Sequence, residues 1–154
     1  MRMTKRSNIS MRVLMYCGVN DHTLVTKSEI SRACNTSENH LAQVINRLAQ
    51  LGFLHTQRGR NGGMRLSRPM EEISVGAVMR ATEASVPITE CFDEAENTCP
   101  LIDACRLRDV IATATEAFYA SMDGVTLADL VCENSRLDAI LRLPVSCAQR
   151  SVQA

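Results

Sequence analysis

The chain has no apolar run of membrane-spanning length. Its opening residues, Met-Arg-Met-Thr-Lys-Arg, lead into an amphipathic segment rather than the apolar core of a secretory leader. Both observations point to the cytoplasm, where thiols stay reduced. An even set of cysteines is also missing. There are seven, so a disulfide framework is not expected. Gly59-Arg-Asn-Gly-Gly63 lacks the Gly-Lys-Ser/Thr ending and the helix start that a Walker-type phosphate loop needs. Histidine is scarce: His22, His40 and His55 all fall in the first half, and nothing marks a substrate pocket, so an enzyme is not expected. Net charge is zero, and lysine is nearly absent, because 15 of the 17 basic residues are arginine.

That zero conceals a division. Residues 1–70 carry eleven basic residues and three acids, a net of +8, whereas residues 71–154 carry six basic residues and fourteen acids, a net of −8. A basic front half suits a polyanionic partner, and an acidic rear half stays off it. At 154 residues the chain is one moderate domain, or a small domain with an appendage.

In the basic half, Asn8 to Val19 reads as a helix with Ile9, Val13, Leu14, Tyr16 and Cys17 on its apolar side. Asn20-Asp-His22 breaks it. Thr26-Lys-Ser-Glu29 is a capping box, in which hydroxyl and carboxylate satisfy the first free N–H groups reciprocally. A short helix follows to about Cys34-Asn35. Ser37 can cap the next helix, which runs to about Leu51 with Leu41, Val44, Ile45 and Leu48 on one buried stripe. Its other face is Glu38, Asn39, His40, Gln43, Asn46, Arg47 and Gln50. Amides and guanidinium groups are the types that make paired hydrogen bonds to base edges. A polar helix face alone is usually just solvated, but here Gly52 ends the helix and a hairpin follows. Phe53–Gln57 and Met64–Leu66 read as strands, joined by Arg58-Gly-Arg-Asn-Gly-Gly63, a turn expected to need positive φ angles. Arg58, Arg60, Arg65 and Arg68 decorate that wing with no acid among them. Residues 1–70 therefore read as a winged helix-turn-helix that binds double-stranded DNA, within a mainly α fold. Ser37, Asn39, His40, Gln43, Asn46 and Arg47 on the helix, with Arg58, Arg60 and Asn61 on the wing, are the candidate contacts.

The acidic half centres on Cys91-Phe-Asp-Glu-Ala-Glu-Asn-Thr-Cys99-Pro-Leu-Ile-Asp-Ala-Cys105, a C-x7-C-x5-C spacing. The stretch reads as a loop until about Asp103, where a helical pattern begins. Thiolates gathered on such a loop suit an iron–sulfur cluster or a zinc ion. Cys105, in the first turn of the following helix, would have its thiolate favoured by the unpaired N–H groups there. Glu90, Asp93, Glu94 and Glu96 surround the set and should keep it wet. Before the loop, Ile73–Glu83 is a short helix with Ser74 as N-cap. After it, Leu107, Val110, Ala114, Ala117 and Ser121 form a stripe of partly small residues, widened by Ile111 and Phe118. The stripe is either the seam of a symmetric dimer or packing within one subunit. Leu127–Val131 and Arg136–Leu141 are short apolar segments able to buttress it. Cys17, Cys34 and Cys132 read as structural. Residues 71–143 thus hold the cysteine loop and dimerisation helices, and residues 144–154, with Cys147, read as a disordered tail.

The start Met-Arg-Met-Thr-Lys-Arg-Ser-Asn8, the wing Arg58-Gly-Arg-Asn-Gly-Gly-Met-Arg-Leu66 and the three-cysteine loop together resemble the iron–sulfur-cluster winged-helix transcriptional repressors, the family of NsrR, RirA and IscR. The resemblance covers roughly residues 1–143. It implies a repressor that works as a homodimer with crossed long helices, Cys91, Cys99 and Cys105 holding one cluster per subunit. IscR-type members carry a histidine three residues after the third cysteine; Arg108 stands there, which argues against that type and its [2Fe–2S] cluster, so [4Fe–4S] is the expected cluster and [2Fe–2S] the alternative. In NsrR-type members an acidic residue near the partner's N-terminus completes the cluster. The matching position is Asn8 of the partner subunit, whose neutral amide is a poorer ligand. Asn39-His40-Leu-Ala-Gln-Val-Ile-Asn46 and Thr126-Leu-Ala-Asp-Leu130 look like the nitric-oxide sensor NsrR. Cys99-Pro-Leu-Ile-Asp103 and the seven-residue first gap look like the iron sensor RirA. Recognition-helix residues report which operator is read, so nitric oxide is the favoured signal, with iron second and a zinc-structural regulator third.

Overall fold

In the computed structural model the described residues are 3–143; the tail 144–154, with Cys147, lies outside them. Along those residues run α1 (Lys5–Val19), α2 (Lys27–Cys34), α3 (Glu38–Gln50), β1 (Leu54–Gln57), β2 (Gly63–Leu66), α4 (Val75–Glu83), α5 (Arg106–Asp123), α6 (Leu127–Val131) and α7 (Ser135–Leu141). The mainly α architecture with one small wing is the expected one.

Helix α1 begins three residues before its apolar stripe suggests, because Thr4 caps it. The Thr4 hydroxyl accepts the Ser7 N–H at 3.2 Å. The Glu83 carboxylate accepts the Thr4 N–H at 2.8 Å and its hydroxyl at 3.1 Å. At its other end Asn20 is fully buried. Its Nδ2 donates to the carbonyls of Tyr16 at 2.9 Å and Leu141 at 3.0 Å, while its Oδ1 accepts the Leu143 N–H at 2.9 Å. One amide thus fixes both the end of α1 and the end of α7.

Each helix of the helix-turn-helix starts at the cap its sequence supplies. Thr26 and Glu29 form the capping box, and Ser37 caps α3. Leu41, Val44, Ile45 and Leu48 are buried as the stripe requires. Gly52, at φ +75°, takes the left-handed position after α3. Strands β1 and β2 pair antiparallel with Leu54 opposite Leu66 and Gln57 opposite Gly63. Val25 and Met64 exchange N–H···O bonds of 2.9 and 2.8 Å, so the wing is sewn to the chain just ahead of α2. The turn itself departs from expectation. Of its three glycines only Gly59 has positive φ, at +113°. Gly62 and Gly63 are needed for close approach instead: a Cβ would lie 2.4 Å from the Gln57 carbonyl at one and 2.8 Å from the Val25 carbonyl at the other.

Beyond the wing, Ser74 caps α4, and the pairs Val75 N–H to Val125 O (2.9 Å) and Leu127 N–H to Ile73 O (2.8 Å) bridge its start to the start of α6. Helices α4, α6 and α7 all pack on α1. Segments 127–131 and 136–141 therefore serve the α1 core rather than buttressing the α5 stripe. Helix α5 leans on α4 along one side, where Arg80 bonds both carboxylate oxygens of Glu116 (2.7 and 2.9 Å) and Asp123 (2.7 Å) and lies 4.9 Å from the Tyr119 ring centroid. No residue of α5 is buried, and Leu107 and Val110 are 64% and 62% exposed.

The Asn20 clasp makes a stability prediction. Buried peptide groups left without partners cost roughly 1–3 kcal/mol, so Asn20→Ala should lower unfolding free energy by about 2–3 kcal/mol in a urea titration. An unchanged midpoint would show that α7 is not docked through this residue.

Candidate nucleic-acid interface and cysteine loop

The outer face of α3 is laid out as its periodicity dictates. Ser37, Asn39, His40, Gln43, Asn46 and Arg47 are all exposed. His40 Nδ1 lies 3.0 Å from the Ser37 hydroxyl, which ties that ring to the helix cap. Arg58, Arg60, Asn61 and Arg65 are exposed on the wing. Arg68 is different: it donates to the Gly52 carbonyl at 3.1 Å and lies 5.3 Å from the Phe53 ring centroid. It braces the wing's base. Sequence reasoning missed two other basic groups. Lys5 and Arg6, exposed at the start of α1, share with His40 and Gln43 a cleft of about 310 Å³ that Thr4, Ile9, Val44 and Val86 complete. Their signal lay in the charge count, but only the fold brings them beside α3.

The cysteine loop is folded by its own polar side chains. Cys91 lies in the 3₁₀ turn Glu90–Phe92, with its sulfur 3.0 Å from the Thr89 hydroxyl. The Asp93 carboxylate accepts the N–H groups of Ala95 and Glu96 at 3.0 and 3.2 Å, and Asn97 Oδ1 accepts that of Cys99 at 3.1 Å. A 3₁₀ turn at Ile102–Ala104 replaces the expected first helical turn, so Cys105 is the N-cap of α5 rather than part of it. Glu90, Glu94 and Glu96 are exposed and Asp93 half-buried, as a wet loop requires.

Cys91, Cys99 and Cys105 are free thiols of intermediate exposure. Among the described residues no three His, Cys, Asp or Glu side chains converge into a metal-binding group. The donor chemistry nonetheless fits an iron–sulfur cluster: three reduced thiols share one loop, and none is bound in a disulfide. Asn8 is exposed near the start of α1. The other cysteines differ. Cys17 and Cys34 are buried, and burial pushes the Cys17 thiol up to about 12, with Cys34 adding to the shift. Burial raises Cys34 as well. Cys132, expected to be structural, is exposed at the end of α6.

A capped helix pair, a basic wing and an outlying helix with no buried residue make up a winged-helix transcriptional regulator. The Rrf2 family, described as iron-dependent transcriptional regulator, matches residues 3–133. The chain belongs to that family. It is 41% identical over 143 residues to protein aau3 of Rhizobium meliloti (strain 1021), covering 93% of each chain. It is 39% identical over 143 residues to the HTH-type transcriptional regulator NsrR of Geobacillus kaustophilus (strain HTA426), covering 92% of this chain and 97% of that one. Among solved structures, CymR, the global cysteine regulator of B. subtilis, shares the fold at a TM-score of 0.65 and 20% identity, covering 85% of this chain and 96% of that chain. The protein is thus a transcriptional regulator and not an enzyme.

The contrast among thiols can be measured directly. In metal-free protein at pH 8, iodoacetamide should alkylate Cys91, Cys99, Cys105 and Cys132 within minutes and leave Cys17 and Cys34 unmodified by mass spectrometry. Labelling of Cys17 at a rate equal to Cys91 would show that its burial is not maintained in solution.

Proposed function

We propose that this chain is a cytoplasmic, homodimeric repressor whose hold on a double-stranded DNA operator is set by an iron–sulfur cluster, of [4Fe–4S] type, and relieved by nitric oxide. The observation that carries the reading is the junction at Cys105: a loop with three free, accessible thiols runs straight into a helix whose apolar stripe is uncovered. Cys91, Cys99 and Cys105 would hold the cluster, and Asn8 of the partner subunit would supply a weak fourth ligand. When bound, the cluster would tie the three thiolates into one unit and present iron that nitric oxide can attack.

The chain's own residues do the rest. Leu107, Val110, Ala114, Ala117 and Ser121 are all exposed along α5 and suit a second copy crossing at close range. Residues 1–70 supply the DNA-reading head and residues 71–143 the sensing and pairing half. On the head, Gln43, Asn46 and Arg47 would read base edges, supported by Ser37, Asn39 and His40, while Arg58, Arg60 and Asn61 hold backbone or minor groove. Once the thiolates are released, only the protein's own contacts hold the loop between α4 and α5. A shift at α5 tilts the two heads relative to each other. A hundredfold drop in operator affinity needs only about 2.7 kcal/mol, within the usual range for coupling between sites.

Several relatives bear the name NsrR, which supports nitric oxide as the signal. The family's description as iron-dependent favours a second reading, in which iron supply sets cluster occupancy. An anaerobic operator-binding titration separates them. Stoichiometric nitric oxide should dissolve the complex; if it leaves the complex intact while an iron chelator dissolves it, iron is the signal. The wing has its own check. Arg60→Ala should weaken binding to all sequences and flatten the salt dependence by about one unit per lost phosphate contact. Unchanged affinity and salt slope would remove the wing from the interface.

A further inference from the structure

Arg108, half-buried on the first turn of α5, joins the two ends of the cysteine loop. Its Nε donates to the Cys91 carbonyl at 3.1 Å, 17 residues away in sequence. Its guanidinium lies 5.3 Å from the centroid of the Phe92 ring. Its backbone N–H donates to the Cys105 carbonyl at 3.1 Å. The residue thus touches the main chain of the first and third cysteines at once. Cys91 is further fixed by the turn it sits in, where the N–H groups of Phe92 and Asp93 donate to Thr89 and Glu90 at 3.0 and 2.9 Å.

We propose that Arg108 is a positioning residue that closes the cysteine loop before any metal arrives, by holding Cys91 against the turn of α5 that Cys105 caps. The inference rests on the reading that Cys91, Cys99 and Cys105 hold a cluster. A loop of this length otherwise has to be ordered at the moment the ligands close round the metal, and that cost weakens binding. With Arg108 in place, part of the ordering is present in the empty protein. Cys99 stands midway along the loop, outside the brace, with its N–H held by Asn97. Arginine is required for the brace. Its planar group can donate from Nε and stack on a ring together, whereas a lysine ammonium is a point charge on a flexible stem.

The test compares wild type, Arg108→Ala and Arg108→Lys. In metal-free protein, amide exchange at Phe92 and Asp93 should rise about tenfold in Arg108→Ala, the factor that ~1.4 kcal/mol gives, from the loss of a charge-assisted hydrogen bond and a cation–π contact. Lysine should not restore it. After anaerobic loading with ferrous iron and sulfide, Arg108→Ala should lose iron to a chelator about tenfold faster than wild type, with the same visible spectrum and the same thermal midpoint. Unchanged exchange overturns the brace. Faster exchange with unchanged iron retention shows that the brace does not serve the thiols, and overturns the proposal. A shifted spectrum makes Arg108 a ligand rather than a positioning residue, and overturns it as well. If wild type itself takes up no iron, the cluster reading fails and the positioning role falls with it, while the exchange data still report whether the brace exists.

Discussion

Helix α1 is enclosed from two sides by bodies with different tasks. Its buried residues run through Ile9, Ser10, Met11, Val13, Leu14, Tyr16, Cys17, Gly18 and Val19, more than a single stripe can hold. A helix apolar nearly all round is a core helix, not a surface one. It packs against α3 and β2 of the winged helix-turn-helix and also against α4, α6 and α7. Each large apolar side chain buried along it contributes about 1.5–3 kcal/mol. Neither half therefore has a complete core without α1, and the opposite charge of the two halves marks surfaces rather than separate folding units. A close-packed interior passes displacements on instead of absorbing them. Whatever moves α4 presses on α1, and α1 is the floor under α3.

Arginine use follows two patterns that a charge count cannot separate. Arg58 and Arg60 stand exposed at the wing's tip. Arg68, Arg80 and Arg108 each stack on a ring, at Phe53, Tyr119 and Phe92, and each also donates hydrogen bonds. Three of the five aromatic rings in the chain are used in this way. Such double contacts explain why lysine is scarce, since its ammonium cannot stack flat and donate in a fixed fork. Arg68 keeps its charge but commits a donor to the Gly52 carbonyl, so the basic surplus of the first half is not a count of groups free to reach a phosphate.

What could be read in the sequence was local. The Thr26–Glu29 box, the Ser37 and Ser74 caps, the Leu41–Leu48 stripe and Gly52 as helix terminator each depend on neighbours within four residues, and each is present. The misses are of both kinds. The Thr4 cap that starts α1 early is local, though Glu83 holds it from afar, and α7 is placed by Asn20 across the chain. Gly62 and Gly63 looked like turn residues, but the carbonyls of Gln57 and Val25 approach too closely for a side chain. The α5 stripe fell between two readings because its periodicity is the same whether it is covered from within or by a second copy. Within this chain Leu107, Val110, Ala114, Ala117 and Ser121 stay exposed, while Ile111 and Phe118 are partly covered. The cysteine spacing pointed to a ligand loop, yet spacing carries no information on how far the thiols stand apart before they are filled.

Glu83 links the cysteine loop to the start of α1 inside one subunit. It is the last residue of α4, and the loop that carries the thiols leaves directly after it. Its carboxylate holds the N-cap of α1, and three residues further on Val86 enters the cleft that also contains His40 and Gln43. A hydrogen bond to a charged group is worth roughly 1.5–3 kcal/mol, enough to fix where α1 begins. The loop is also the kind of segment that opens at low free energy, with exposed backbone and few buried neighbours. Thr4, the cap that Glu83 holds, is followed directly by Lys5 and Arg6, so the placing of those two cations beside His40 and Gln43 depends on a residue at the edge of the cysteine loop.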